Sequence, residues 1–217
     1  MHYEINGYMI KSENAALSTT QTNANIIKYI SDLCMGQLYL DYGCGKCRYS
    51  KQLCEKAKQV VLVDSEIQIT RTQKIHNETT SVQEYAKNHL KNATVFSLHD
   101  ENWKVKEYDF ILCTNVLSAI PDMDEREKLL ENIASLLSND GTALISVQYS
   151  NSYFKTYETN PKAIKHEDGW IIKKGNSYSF YGIIKPDKLI EMCKKANLKK
   201  IKDYRKEGTI YLTVKSK

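Results

Sequence analysis

No run of about 18 apolar residues occurs in this 217-residue chain, so no segment reads as a membrane-spanning helix. The opening residues Met-His-Tyr-Glu-Ile-Asn lack the basic-then-apolar layout of a secretory leader, and a cytoplasmic location is expected. No second Cys-x-x-Cys accompanies Cys44 and Cys47, and His76, His89, His99 and His166 show no i, i+4 spacing, so no metal site is expected. Gly-x-Ser-x-Gly and a Walker phosphate loop are also missing, which removes two common hydrolase signatures. Repeats, low-complexity tracts and domain linkers are absent.

What is present is an ordinary globular composition. Apolar residues make up 41% of the chain, enough for the core of one domain over residues 1–217. The cysteines at 34, 44, 47, 54, 113 and 193 fall largely within predicted strands and helices, as reduced thiols do. The net charge of +5 comes from lysines spread over many elements, most densely from Lys185 onward. That is a mild bias toward anionic partners, not a nucleic-acid signature.

Residues 1–20 are polar with little periodicity. A helix capped by Thr20 or Asn23 is predicted to reach about Cys34, making residues 1–35 an N-terminal helical extension. Strands are predicted at 37–41, 60–64, 95–98, 108–113 and 142–148. Between them lie helices over 46–58, an interrupted 66–90 with a capping box at Ser81 and Glu84, and 124–138. Asn139-Asp140-Gly141 reads as a turn. A helix from Pro186 and strands near 199–204 and 209–214 complete the chain. Alternating strands and helices imply a parallel sheet with right-handed crossovers.

Residues 149–182 break the alternation. They carry Tyr149, Tyr153, Phe154, Tyr157, Trp170, Tyr178, Phe180 and Tyr181, and segments 169–172 and 176–184 can pair as a hairpin across 173–175. The segment leaves the C-terminal end of a strand, where ligands gather in open parallel sheets, so it reads as a substrate cap. It reads equally as a surface hairpin burying its own aromatics.

The densest signal is Leu38-Tyr-Leu-Asp-Tyr-Gly-Cys-Gly45, followed nineteen residues later by Asp64 at the end of Val-Val-Leu-Val-Asp. A strand, a glycine-pinched turn, a helix and a second strand ending on a carboxylate suit an adenosine-type cofactor. Arg48 stands where a dinucleotide fingerprint needs its third glycine, which disfavours NAD. A carboxylate at Asp41 would repel a pyrophosphate and suits an amino group or a sulfonium.

At Asp41-Tyr42-Gly43-Cys44-Gly45 the chain resembles the class I S-adenosylmethionine-dependent methyltransferases, whose first motif is Asp/Glu-x-Gly-x-Gly. The resemblance covers roughly residues 36–148. It implies a three-layer α/β/α, Rossmann-like fold with a seven-stranded, mostly parallel sheet and an antiparallel last strand. It implies S-adenosylmethionine as cofactor and S-adenosylhomocysteine as product. Tyr42, Gly43, Cys44 and Gly45 would surround the methionine moiety, with Asp41 orienting its amino group. Asp64, followed by Ser65, would hold the ribose hydroxyls. Asp100 would accept from the adenine amino group, with Leu98 or Trp103 against the base, and Asn115 would border the sulfonium.

Enzymes of this group that methylate nucleobase amines carry Asn/Asp-Pro-Pro-Tyr or Phe where this chain has Thr114-Asn115-Val116-Leu117. The resemblance thus favours an O, N or S atom of a small molecule over RNA or DNA. Ser118-Ala119 replaces the histidine of many small-molecule members, so no general base is named. Tyr149, Tyr178 and Tyr181, with Asn115, are the candidates for orienting the acceptor during catalysis. The alternative is a non-catalytic S-adenosylmethionine-binding module or partner subunit. A monomer or homodimer away from membranes is expected.

Overall fold

The computed structural model describes residues 1–104 and 107–217, and all their side chains except that of Tyr153. In chain order the elements are β1 (His2–Ile5), β2 (Tyr8–Lys11), a 3-10 turn (Ser12–Ala15), α1 (Ala24–Ser31), β3 (Gly36–Tyr42), α2 (Ser50–Cys54), β4 (Ala57–Asp64) and α3 (Glu66–Thr70). Next come β5 (Gln73–Ile75), β6 (Glu78–Thr80), α4 (Val82–His89), β7 (Ala93–Ser97), β8 (Tyr108–Thr114), a 3-10 turn (Leu117–Ala119), α5 (Met123–Leu136) and β9 (Leu137–Gln148). The last are α6 (Ser152–Thr159), β10 (Ala163–His166), β11 (Gly169–Lys174), β12 (Ser177–Gly182), α7 (Pro186–Lys195), β13 (Leu198–Lys206) and β14 (Thr209–Ser216).

Seven strands form one sheet in the order β13-β14-β9-β8-β3-β4-β7. β3 pairs in parallel with β4 and β8, and β4 with β7, while β14 runs antiparallel to both its neighbours. The mixed α/β fold with an antiparallel last strand is the one the sequence implied. The chain groups into two compact units: residues 16–112 with 136–141, and residues 1–15 with 113–135 and 142–217.

In the first unit Leu40, Leu62, Val63, Phe110, Ile111 and Leu112 are all buried. Near-continuous apolar runs of this kind are what strands covered on both faces require. Helix starts follow local capping chemistry. The side chain of Asn23 accepts from the Asn25 N–H at the start of α1, and Ser81 Oγ accepts from the Glu84 N–H at 3.1 Å at the start of α4. The helix expected over 46–58 is only α2, Ser50–Cys54. Cys47 sits at φ +59°, a left-handed conformation that no continuing α-helix allows. The break expected within 66–90 is the β5–β6 hairpin. The turn expected at Asn139-Asp140-Gly141 lies inside β9 instead. Gly141 is needed for close approach, since a Cβ there would lie 2.5 Å from the Tyr108 carbonyl oxygen.

The second unit holds a five-stranded sheet, β1-β2-β12-β11-β10. The hairpin expected between 169–172 and 176–184 is β11–β12, turning at Gly175 with φ +61°. The expected N-terminal helical extension is α-helical only over Ala24–Ser31, because residues 2–11 form a hairpin. Its turn residues, Asn6 at φ +52° and Gly7 at φ +80°, supply the paired positive angles of a two-residue hairpin loop. β2 then lies parallel to β12, with Ile10 opposite Tyr178. One cluster gathers Ile10, Ile171 and Phe180, and another gathers Phe154, Tyr157 and Trp170.

Candidate functional site

Within the first unit, β3 delivers Asp41 and Tyr42 to a turn with left-handed residues at Gly43 (φ +78°) and Gly45 (φ +57°). A Cβ at Gly45 would meet nothing nearer than Ala16 Cβ at 3.8 Å. Conformation rather than crowding therefore calls for glycine there, and the space beside it is open to a ligand. Backbone bonds fasten the turn to β4. The N–H groups of Gly43 and Cys44 donate to the Val63 carbonyl at 2.8 and 3.1 Å, and the Gly45 N–H donates to Asp64 Oδ2 at 2.9 Å. Fully buried Gln68 donates from Nε2 to the Gly45 carbonyl at 2.6 Å.

Two carboxylates lie at this turn. Asp41 is 4% exposed and accepts from Ser50 Oγ at 2.9 Å. Burial pushes its carboxyl up to about 7; the Ser50 bond and Arg48 oppose the shift, and the charge of Asp64 adds to it. Asp64 is also raised by burial, against the N–H bonds it accepts from Gly45 and from Ser65 at 2.7 Å. A buried carboxyl repelled by a neighbouring one, as Asp41 is by Asp64, gains most from an incoming cation, which an ammonium or sulfonium ligand supplies. Each oxygen of Asp64 takes one backbone N–H and keeps lone pairs for hydroxyl donors.

After β7, the Leu98 N–H donates to the Asp64 carbonyl at 2.9 Å, which ties this segment to the same sheet edge. Asp100 Oδ1 accepts from the Asn102 N–H and Nδ2, both at 2.8 Å, in a surface loop. Of the two side chains expected against an adenine, Leu98 is half-buried while Trp103 is 1% exposed. Trp103 meets Tyr42 edge-on at 5.4 Å, so it braces the turn instead of offering an open face. Its indole N–H has no hydrogen-bond partner among the described residues. The unit thus assembles Asp41, Tyr42, Gly43, Cys44, Gly45, Asp64, Ser65, Leu98 and Asp100 at the C-terminal ends of three adjacent parallel strands. These residues and the open glycine turn fit an adenosine ligand bearing a cationic tail.

The Cys44 thiol is pushed well up, first by its hydrogen bond with the Cys47 thiol and then by burial, so it stays protonated. Among the described residues, no group of three or more His, Cys, Asp or Glu side chains is placed to hold a metal ion.

The second unit carries the other candidates. Asn115 follows β8 in a left-handed conformation, φ +59°, with its N–H donating to the Ser146 carbonyl at 2.8 Å. Tyr149 follows β9 and donates its N–H to the Gly208 carbonyl at 2.8 Å. Tyr178 and Tyr181 sit on β12 three positions apart, and an odd separation on a strand sends side chains to opposite faces. Tyr178 stands edge-on to Tyr8 at 4.9 Å beside Ile10 and Phe180. Tyr181 packs with Phe154 and Tyr157 at 6.4 and 5.9 Å. Of the four residues expected to orient the acceptor, Tyr178 and Tyr181 are thus brought to opposite faces of β12 and not to one side.

Sequence reasoning passed over several supports. Ser50 and Gln68 lock the glycine turn, and nothing in their spacing marks them. Asn6-Gly7 between Tyr-Glu-Ile and Tyr-Met-Ile is a legible hairpin signal. Arg126, fully buried on α5, donates from its two terminal nitrogens to Asp168 at 2.6 and 2.9 Å and from Nε to the Ile120 carbonyl at 2.8 Å. It also lies over the Phe180 ring at 5.6 Å. A buried cation in an amphipathic helix shows itself only once its partner is placed.

Comparison with known proteins places the chain in a family. A family model described as a methyltransferase domain matches residues 21–202. YmfD, an uncharacterized protein of Escherichia coli (strain K12), is 38% identical over 216 residues, covering 100% of this chain and 96% of its own. A ubiquinone biosynthesis O-methyltransferase of Rickettsia bellii is 25% identical over 73% of this chain and 60% of its own length. The fold is that of a solved S-adenosylmethionine-dependent methyltransferase from Clostridium acetobutylicum, with a TM-score of 0.61 at 17% identity and 94% of each chain covered. The chain belongs to the methyltransferase-domain family, with the fold of a solved S-adenosylmethionine-dependent methyltransferase.

Proposed function

We propose that the enzyme methylates an O, N or S atom of a small molecule, with the cofactor held by the unit of residues 16–112 and 136–141. The observation that carries the cofactor half is the glycine turn closed onto the half-buried Asp64, beside the buried Asp41, with both carboxyls raised by desolvation. In this reading Asp64 and Ser65 receive the ribose hydroxyls, and Asp41 favours the amino group and sulfonium through charge. Gly43 and Gly45 leave room for the methionine moiety between Tyr42 and Cys44. Leu98 and Asp100 meet the adenine, and Trp103 supports Tyr42 from behind.

The bound sulfonium supplies an already activated methyl carbon, so the protein's work is alignment and exclusion of water. Asn115 and Tyr149 follow the ends of β8 and β9 and are the groups we assign to orienting the acceptor. One of Tyr178 and Tyr181, which lie on opposite faces of β12, joins them. A tyrosine hydroxyl with an ordinary pKa near 10 positions an acceptor at neutral pH better than it deprotonates one. The small-molecule assignment is supported by Thr114-Asn115-Val116-Leu117, which lacks the proline pair of nucleobase-amine enzymes, and by the name of the Rickettsia relative.

Calorimetry with S-adenosylhomocysteine tests the cofactor half, and micromolar affinity, about −8 kcal/mol, is expected. Absence of heat from folded protein at high micromolar ligand would refute it. Transfer of labelled methyl to a panel of phenols, amines and thiols tests the acceptor half. Tight binding with no turnover on any acceptor would point to the non-catalytic module instead.

A further inference from the structure

Residues 185–217 contain eleven Lys and Arg against four Asp and Glu, a net +7 in a chain whose total is +5. A count of lysines does not say where they point, but the pairing register does. β13 is an edge strand of the seven-stranded sheet. Along it Lys199 lies opposite Lys215 and Lys200 opposite Val214; the register then shifts, and Lys202 faces Thr213, Tyr204 faces Tyr211 and Lys206 faces Thr209. Ile201 is the extra residue of a bulge, and a bulge inverts the alternation beyond it.

Two faces result. Leu198, Lys200, Asp203 and Arg205 point one way. There Leu198 is buried, Lys200 and Arg205 pair with Asp203 at 2.9 and 3.2 Å, and Arg205 reaches Asp187 of α7 at 3.8 Å. That face is charge-balanced and turned toward α7. The other face reads Lys199, Lys202, Tyr204, Lys206, with Lys215 beside Lys199 and no acidic residue in the row. Tyr204 is 53% exposed, and its ring rests 5.9 Å from that of Tyr211 at an interplanar angle of 30°.

Lysines on an edge strand ordinarily serve to repel other strands. Two features exceed that role. Lys199 directly opposite Lys215 is a repulsive cross-strand pair, which weakens the sheet unless an anion lies between them. Exposed Tyr204 and Ile201 add apolar surface to an edge whose protection calls for the reverse. We propose that this outer face of β13 docks single-stranded nucleic acid, with phosphates along the lysines and a base stacked on Tyr204. Same-face residues on a strand recur about every 6.7 Å, giving a line of alternating cation and ring that suits a backbone with projecting bases. A membrane surface is met by a broad basic plane with several insertable apolar groups, not by one row and one braced ring. The inference is independent of which small molecule accepts the methyl group.

The test is fluorescence anisotropy of fluorescein-labelled oligo-U and oligo-dT, each about 15 nucleotides, with the intact protein across a salt series. Binding is expected with a log–log salt slope of about −2 to −3, as three or four phosphates on a single strand give. The triple variant K199E/K202E/K206E should weaken binding at least tenfold, and Tyr204→Ala about tenfold, the latter persisting at high salt because stacking is not screened. Both variants should bind S-adenosylhomocysteine as the unaltered protein does, which shows they are folded. No binding at low salt overturns the proposal. So does full displacement by polyglutamate with Tyr204→Ala unchanged, which marks an acidic-protein surface. Tighter binding to phosphatidylserine vesicles than to either oligonucleotide also overturns it.

Discussion

In the unit of residues 16–112 and 136–141, the groups that bear chemistry are held by backbone. Gly45 N–H reaches Asp64, Gly43 N–H reaches Val63, and buried Asp41 and half-buried Asp64 sit in an environment that raises both carboxyls. In the other unit Asn115 and Tyr149 follow strand ends, while Tyr178 and Tyr181 pack among aromatic and aliphatic side chains on a sheet shared by residues 2–11 and 163–182. The first arrangement is specified by conformation and charge and has few tolerated substitutes. The second is specified by size and face, and exchanging one ring for another changes its surface without changing its backbone. A cofactor common to many enzymes suits the former construction, and an acceptor that differs between them suits the latter.

The sharpest way to break this contrast is to remove charge from the turn. Asp41 is raised from 3.8 to about 7, so between those values the folded state holds a proton that the unfolded state has lost. Stability from this group is therefore present at low pH and lost as pH rises from about 4 to 7. Asp41→Asn should raise stability at pH 8 by as much as about 4 kcal/mol, and leave it nearly unchanged below pH 4. Urea unfolding at the two pH values measures it, and equal effects at both would show that the carboxyl is not strained by burial. The same variant should bind S-adenosylhomocysteine more weakly, separating a functional carboxylate from a stabilising one.

The other unit has a comparable polar anchor in Arg126. Arg126→Met removes the paired donors to Asp168 and the bond to Ile120, and a loss of about 3 kcal/mol is expected in thermal or urea unfolding. A loss under 1 kcal/mol would reduce the ion pair to ornament. Asp64→Ala comes next. It should weaken S-adenosylhomocysteine by about 1.5–3 kcal/mol in calorimetry, since it deletes charge-assisted bonds and frees the Gly45 and Ser65 amides. Unchanged affinity would leave Asp64 a mere strand-end cap. The smallest effect separates the faces of β12. One of Tyr178→Phe and Tyr181→Phe should lower kcat/KM by about 1 kcal/mol, and the other should leave it alone. Equal losses would mean that both hydroxyls act through packing.

The glycine turn was legible because its constraints are local. Asp41 to Gly45, and Asp64 at its spacing, need no partner elsewhere to be recognised, and the strands around them are apolar runs bounded by turns. The helix over 46–58 was overdrawn because its apolar stripe at Tyr49, Leu53 and Ala57 gives no sign that Cys47 is left-handed. Trp103 was read as a base contact because an aromatic after a strand looks available until Tyr42 covers it. Tyr178 and Tyr181 were read together from composition, when their separation of three already assigned them to opposite faces. The partners of Arg126 and the row on β13 depend on register and bulge, which only pairing reveals.

The hairpin at residues 2–11 has a consequence for how the chain is made. It leaves the ribosome about 165 residues ahead of β12, the strand it pairs with in parallel. Every element of the glycine turn emerges between those two events. During translation the early hairpin must therefore remain unpaired along one edge, with Met9 exposed and Ile10 awaiting Ile171 and Phe180, until residue 182 has appeared. Nascent chains stalled short of that residue should hold a formed glycine turn and an open, chaperone-accessible strand at residues 8–11.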